Sequence, residues 1–172
     1  MAQTIHLSIA LNPSLLDPSD YASLLQEFDD LSPILSDVVE PFLVSEETQA
    51  FETHGASIGQ PWAPSDPRWA AWKQVRGFST ETLHMTNRLA QSIGQSVEQD
   101  GDSITVGTDV PYAAKLQSGF SGRAPDGIYR NVPGRVFMDV PLAQAQDLAD
   151  RVAAFIAERT GVPQAAILVT VE

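Results

Sequence analysis

The sequence predicts an α+β fold with a mostly antiparallel sheet, and three observations carry that expectation. Thr4 to Leu11 alternates apolar and polar residues, the period of a half-buried strand. Asp100-Gly101 sits between two β-favouring runs, Ser92 to Val97 and Ser103 to Val106, which is a strong local signal for a hairpin. Leu142, Ala145, Leu148, Ala149, Val152, Phe155 and Ile156 recur at helical spacing and make one apolar stripe. Helices come first and strands interleaved with short helices follow, the order expected of α+β rather than of a parallel α/β sheet.

Taken in order, Ile5, Leu7, Ile9 and Leu11 form the inner face of the first strand, and Asn12-Pro13-Ser14 closes it. Ser19 or Asp20 is positioned to cap a helix carrying Leu24, Leu25, Phe28 and Leu31. Ser32-Pro33 supplies the start of a second helix with Ile34, Leu35, Val38, Val39, Phe42 and Leu43 on it; Pro41 removes a ladder donor and must kink or split that helix. Glycines and prolines at 55, 59, 61, 64 and 67 make an irregular stretch around Trp62. Asp66-Pro67 then opens a short helix bearing Trp69, Trp72 and Lys73 and stopping at Gly77.

Ser79 or Thr80 is expected to cap another helix, with Leu83, Thr86 or Asn87, and Leu89-Ala90 turned inward. Asp109, Pro111 and Gly119 bracket a helix from Tyr112 to Ser118 as cap, first-turn proline and left-handed terminus. A glycine-rich basic loop follows, then Val132 to Phe137 as a tight segment. Asp139 and Pro141 start the last helix, Thr160-Gly161 ends it, and Ala166 to Val171 reads as a final strand that joins the sheet or is lent to a neighbour.

At 172 residues the chain suits one domain: strand and acidic helices over 1–54, a tryptophan loop over 55–67, helices, hairpin and basic loop over 68–140, and the long helix with the final strand over 141–172. No apolar run approaches a membrane span, and the first residues lack the pattern of a signal peptide, so a cytoplasmic setting during synthesis is expected. The absence of cysteine excludes disulfides and thiolate chemistry. Net charge is −12, which argues against sequence-specific binding to a nucleic-acid backbone.

That charge is unevenly placed. Up to Pro67 there are eleven acids and no Lys or Arg, whereas the remainder carries eleven acids and all ten basic residues. Four of the ten, Lys115, Arg123, Arg130 and Arg135, fall between positions 115 and 135, mixed with Phe120 and Tyr129. A solvated acidic face explains the first half on its own; an acidic half that meets the basic loop of a neighbouring copy, head to tail, explains both. On this reading Lys115, Phe120, Arg123, Tyr129 and Arg130 are the candidate interface.

Catalytic and ligand patterns are weak. Gly55-Ala56-Ser57-Ile58-Gly59 matches G-x-S-x-G, but it follows a helix and runs into Gln60-Pro61-Trp62, so a small-residue loop accounts for it better than a hydrolase nucleophile at Ser57. His6, His54 and His84 are too widely spaced along the chain to suggest a metal site, and Asp100-Gly101-Asp102 lacks the rest of a calcium loop. Trp62, Trp69 and Trp72 are expected in a core or an interface rather than as base-stacking platforms. No cofactor, metal or catalytic residue is expected.

From about Phe51 to Gly161 the succession of features resembles the virion morphogenesis (tail completion) family of tailed bacteriophages, the group of the phage Mu G protein. The carrying pieces are Phe51-Glu52-Thr53-His54-Gly55, Trp62-Ala63-Pro64, the helix with Lys73, and Leu89-Ala90-Gln91-Ser92-Ile93. They continue as Val106-Gly107-Thr108, Tyr112-Ala113, Gln117-Ser118-Gly119 and Pro133-Gly134-Arg135-Val136-Phe137. Gly134 and Val136 replace the usual Ala and Pro, Leu116 stands where a histidine is common, and Asn87 where a glycine often precedes Arg-Leu.

The resemblance implies a non-enzymatic neck component that joins tail to head, acting as a homo-oligomeric, hexameric ring. Its partners would be tail terminator or tail tube and head-tail connector proteins, with DNA passing through a negative lumen and no membrane involved. Tail terminator or connector is the alternative place in the virion. Trp62, Tyr112, Gly119, Pro133, Arg135 and Phe137 would then be the scaffold of the shared motif.

Overall fold

The computed structural model describes residues 1–20, 24, 28–123, 127 and 129–172. Strand β1 (Ala2–Leu11) leads through a 3-10 turn (Pro13–Leu15) to a helical run made of Ser32–Ile34, a π turn Leu35–Val39 and α1 (Glu40–Glu52). Then come α2 (Pro67–Val75), the single turn α3 (Arg88–Gln91), and the hairpin of β2 (Ser96–Asp100) and β3 (Ser103–Gly107). The chain continues with α4 (Ala113–Ser118), β4 (Gly119–Arg123), β5 (Tyr129–Pro133), α5 (Leu142–Thr160) and β6 (Ile167–Val171). Four strands form a sheet in the order β2-β3-β1-β6, and β4 and β5 form a separate two-stranded ribbon. The α+β class read from the sequence holds.

The described chain divides into two compact units. One comprises Thr4–Leu43, Val97–Val106 and Val140–Glu172; the other comprises Met1–Gln3, Val44–Ser96 and Gly107–Asp139.

In the unit that holds most of the sheet, the alternation of β1 buries Ile5 and Leu7, and β6 pairs antiparallel with it, Leu7 opposite Val171 and Leu11 opposite Ile167. The final strand therefore closes an edge of this chain's own sheet. Helix α5 packs on β6 and on the π turn, burying Leu148, Val152, Ala153 and Ile156. At about 1.5 to 3 kcal/mol for each large aliphatic side chain, this stripe is a main source of the unit's stability. The stripe begins later than its period suggests: Leu142 is 76% exposed. Gly161, at φ 74°, ends the helix by donating its N–H to the Ala157 carbonyl.

Of the first expected helix, Leu24 and Phe28 are helical, Leu24 is fully buried, and Leu25 lies outside the described residues. Pro41 neither breaks nor splits the second. The preceding π turn shifts the ladder by one, with the Glu40 N–H reaching Leu35 O, so the missing donor at Pro41 falls where the register is already relaxed.

In the other unit Asp66 caps α2, its Oδ1 accepting from the N–H groups of Arg68 and Trp69 at 2.9 and 3.1 Å, as the Asp-Pro start predicts. Three expectations need correction. No helix starts at Ser79 or Thr80; residues 79–87 are irregular, because Leu83 and Asn87 adopt left-handed backbone (φ 63° and 57°), and only α3 is helical. Asp109 does not cap α4: the Thr108 hydroxyl accepts from Val110 N–H instead, and the helix begins after Tyr112 with no side-chain cap. The basic loop is a β-hairpin, with Gly119 opposite Pro133 and Arg123 opposite Tyr129; its tip, 124–126 and 128, lies outside the described residues.

The Asp-Gly hairpin is present, its turn being Gly101-Asp102 with Gly101 at φ 59°. The core of this unit joins Phe51, Trp62, Leu89, Ile93, Val110, Ala113, Phe137 and Met138. Phe51 lies edge-on to Trp62 at 5.4 Å and tilted against Phe137 at 5.2 Å.

Candidate functional site

Between α2, the irregular segment after it, α4 and the β4-β5 hairpin lies a groove of about 1080 Å³. Its geometry starts from a crossing of two backbones. A Cβ at Gly119 would lie 2.6 Å from Gly134 N, and one at Gly134 would lie 2.8 Å from Gln117 O, so both positions require glycine for this approach. Gln117 then clamps the crossing: its Oε1 accepts from the N–H groups of Phe137 (3.1 Å) and Met138 (3.2 Å), and its Nε2 donates to Met138 O at 2.8 Å. The Arg135 N–H reaches Leu116 O at 2.9 Å. These contacts hold the hairpin against the end of α4.

Two cations sit deep in the groove. Lys73 is 1% exposed and donates its Nζ to Glu81 O at 2.7 Å; burial, and then the charge of Arg135, lower its pKa. Arg135 is 6% exposed and donates to the carbonyls of Ala63 (3.1 Å) and Pro64 (3.4 Å), tying the tryptophan loop to the hairpin. Trp62 anchors the same loop from the core side, its indole N–H donating to Val136 O at 2.6 Å. Arg130 is buried and pairs with Asp66 at 2.5 Å, with its guanidinium 5.9 Å from the Trp69 ring. The Trp69 N–H, and after it Arg130, hold the Asp66 carboxyl below the usual range.

Arg68, Arg88, Lys115 and Arg123 complete the lining and are exposed. Seven of the ten basic residues in the chain thus face one groove, with Asp66 as the carboxylate among its lining residues. Between the cations stand apolar and aromatic groups, including Trp69, Leu83, Tyr112, Phe120, Tyr129 and Val132. Tyr129 is 67% and Tyr112 40% exposed. Trp69 and Trp72 stack on each other at 4.6 Å, and Arg76 lies over Trp72 at 4.1 Å. Cations set among apolar and aromatic groups are chemically suited to carboxylates next to apolar side chains, and a few desolvated arginines with aromatic neighbours can dominate an interface of this kind.

All five candidate interface residues, Lys115, Phe120, Arg123, Tyr129 and Arg130, line the groove, as do Tyr112, Pro133 and Arg135. Trp62 and Phe137 belong to the core beside it. Arg130 is placed as an internal brace, buried against Asp66, rather than as an outward contact.

Sequence reading missed that Arg68, Lys73 and Arg88 join the cluster, since they are distant in sequence. It also missed Gln117 as the clamp. Ser57 lies in a run of turns after α1, between Gly55 (φ 81°) and Gly59 (φ 71°), not at a strand-to-helix elbow; Gly55 is needed because a Cβ there would strike Gln60 O and the Trp62 ring.

Residues 20–157 match the family model described as the phage virion morphogenesis family. No curated protein and no solved structure matches the chain.

Proposed function

The chain belongs to the phage virion morphogenesis family, and from that premise we propose that it is a tail completion or neck protein, joining tail to head as one subunit of a ring. The coarse part of this follows from the family: a structural, virion-associated role in a bacteriophage. The place in a ring is supported by one observation: seven of ten basic residues line one groove, while the first 67 residues carry no Lys or Arg and eleven acids, of which Asp66 lies in the groove and Glu47 is buried. Two unlike, complementary surfaces on one chain favour heterologous contacts, which close into rings when the rotation per subunit permits. Charge complementarity would set register and speed association, and its exposed contacts would add affinity that salt screens.

In this reading the groove receives the acidic portion of the next copy, with the hexameric ring the family resemblance implies. Lys115 and Arg123 provide exposed charge, Phe120 and Tyr129 apolar contact, and Lys73, Arg130 and Arg135 a rigid base. Acidic residues left toward the channel would keep DNA from adhering as it passes. Tail and connector proteins would occupy the two ring faces, and no catalytic step is assigned.

The test is a phage carrying Lys115→Glu and Arg123→Glu together. Electron microscopy of its lysates is expected to show filled heads and finished tails that are not joined. Overlong tails would place the protein at the tail end as terminator, and empty leaking heads would place it at the connector. Normal infectious particles would defeat the groove-based reading.

A further inference from the structure

The histidines that look scattered along the chain are not all scattered in space. His54, just beyond α1, meets Glu81 and His84 from the irregular segment after α2, and a ligand atom of each lies within 4.8 Å of those of the other two. Glu81-Thr82-Leu83-His84 also has the Glu-x-x-His spacing found in carboxylate–imidazole metal sites, a pair that a reading for metal motifs wrongly takes to be absent. We propose that His54, Glu81 and His84 bind a divalent transition-metal ion of the zinc class.

Geometry supplies the argument. Among the described residues, three non-glycine residues have positive φ: His54 (50°), Leu83 (63°) and Asn87 (57°). The first is a ligand, the second precedes a ligand, and the third holds a ligand's ring. Left-handed backbone is costly for Leu83 and better tolerated by His54 and Asn87, and its concentration at one place fits a site where the backbone serves the side chains. Asn87 Oδ1 lies 3.0 Å from His84 Nδ1. His84 Nε2 lies 3.5 Å from Phe51 O, a long contact that asks for the opposite tautomer; with Nδ1–H donating to Asn87 at the shorter distance, Nε2 keeps its lone pair for an ion, which is how an outer hydrogen bond orients a metal-binding imidazole.

The two imidazoles stand edge to face at 6.0 Å, His84 packs against Phe51 and His54 against Trp62. Thus one side of the site is the aromatic core and the other, where His54 and Glu81 are exposed, admits an ion. Two imidazole nitrogens and one carboxylate suit Zn²⁺, Co²⁺ or Ni²⁺ and fit poorly with the all-oxygen preference of Ca²⁺ or Mg²⁺. A bound ion would tie the segment that also carries Leu83, Met85 and Thr86 of the groove wall to the end of α1, in a chain that has no cysteine to staple it otherwise. The inference does not depend on what occupies the groove.

Untagged full-length protein, stripped with chelator, is titrated with Co²⁺ and read by visible absorption, followed by displacement with Zn²⁺. One equivalent is expected to give a saturable d–d band that Zn²⁺ removes. His54→Asn, which tolerates the left-handed backbone, and Glu81→Gln, both at exposed positions, should weaken binding at least tenfold; Asn87→Gly should weaken it by about ten- to a hundredfold. His6→Ala should bind as the parent does. No saturable band in the parent protein, or a band unchanged in both His54→Asn and Glu81→Gln, overturns the proposal.

Discussion

Glu47 shows how one residue can oppose the fold that holds it. It lies on the buried face of α1 with Leu43 and Ala50, 3% exposed, and neither carboxylate oxygen has a hydrogen-bond partner among the described residues. Burial pushes its pKa up to about 8 from an ordinary 4.5. The folded protein therefore keeps this proton where the unfolded chain releases it. Stability from this group is fully present below pH 4.5 and is lost as pH rises through about 8, at up to about 1.4 kcal/mol per pH unit. Thermal melts from pH 4.5 to 9 should show Glu47→Gln gaining on the parent as pH rises, with the two closest at the acid end; parallel curves would contradict this. Nothing in the sequence flagged Glu47, because it stands among ten other acids of the first 67 residues and only the helix phase buries it.

At the level of elements, what was legible depended on whether the signal was local. Asp66-Pro67 as a helix start, Gly161 as a helix end and the Asp100-Gly101 hairpin are each decided by a few adjacent residues, and each was readable. The expected helix after Ser79 fails where Leu83 and Asn87 adopt left-handed backbone; Asn tolerates that conformation, but nothing local in the sequence reveals it for Leu83. Pro41 announced a missing donor, but the π turn that absorbs it is a choice of register made by packing. The hairpin at 119–133 was hidden by its glycines, of which Gly119 serves a backbone crossing. Asp66 links two of these elements, as cap of α2 and partner of Arg130. Asp66→Ala should unfold at lower urea than the parent, and Asp66→Asn, which keeps the cap but not the charge, should fall between them. Equal midpoints for Asn and Ala would mean the cap contributes nothing.

For the whole molecule, the sequence already displayed the charge partition and four of the groove's cations, and the fold added Arg68, Lys73 and Arg88 to them. The convergence is long-range, so spacing alone could not show it. It turns a basic stretch into a shaped site with a rigid base and exposed aromatic edges. The account's central claim is that this groove binds the acidic portion of another copy, and ionic strength tests it most directly because exposed charge contacts are screened within about 10 Å at 0.1 M salt. Sedimentation or light-scattering mass should be measured across protein concentration from about 20 mM to 1 M salt, with purified tail and neck partners added in a parallel series. The account predicts a closed oligomer at low salt that dissociates as salt rises, and monomer throughout for the Lys115→Glu, Arg123→Glu double variant. The same monomer at every salt and concentration, partners included, would contradict it.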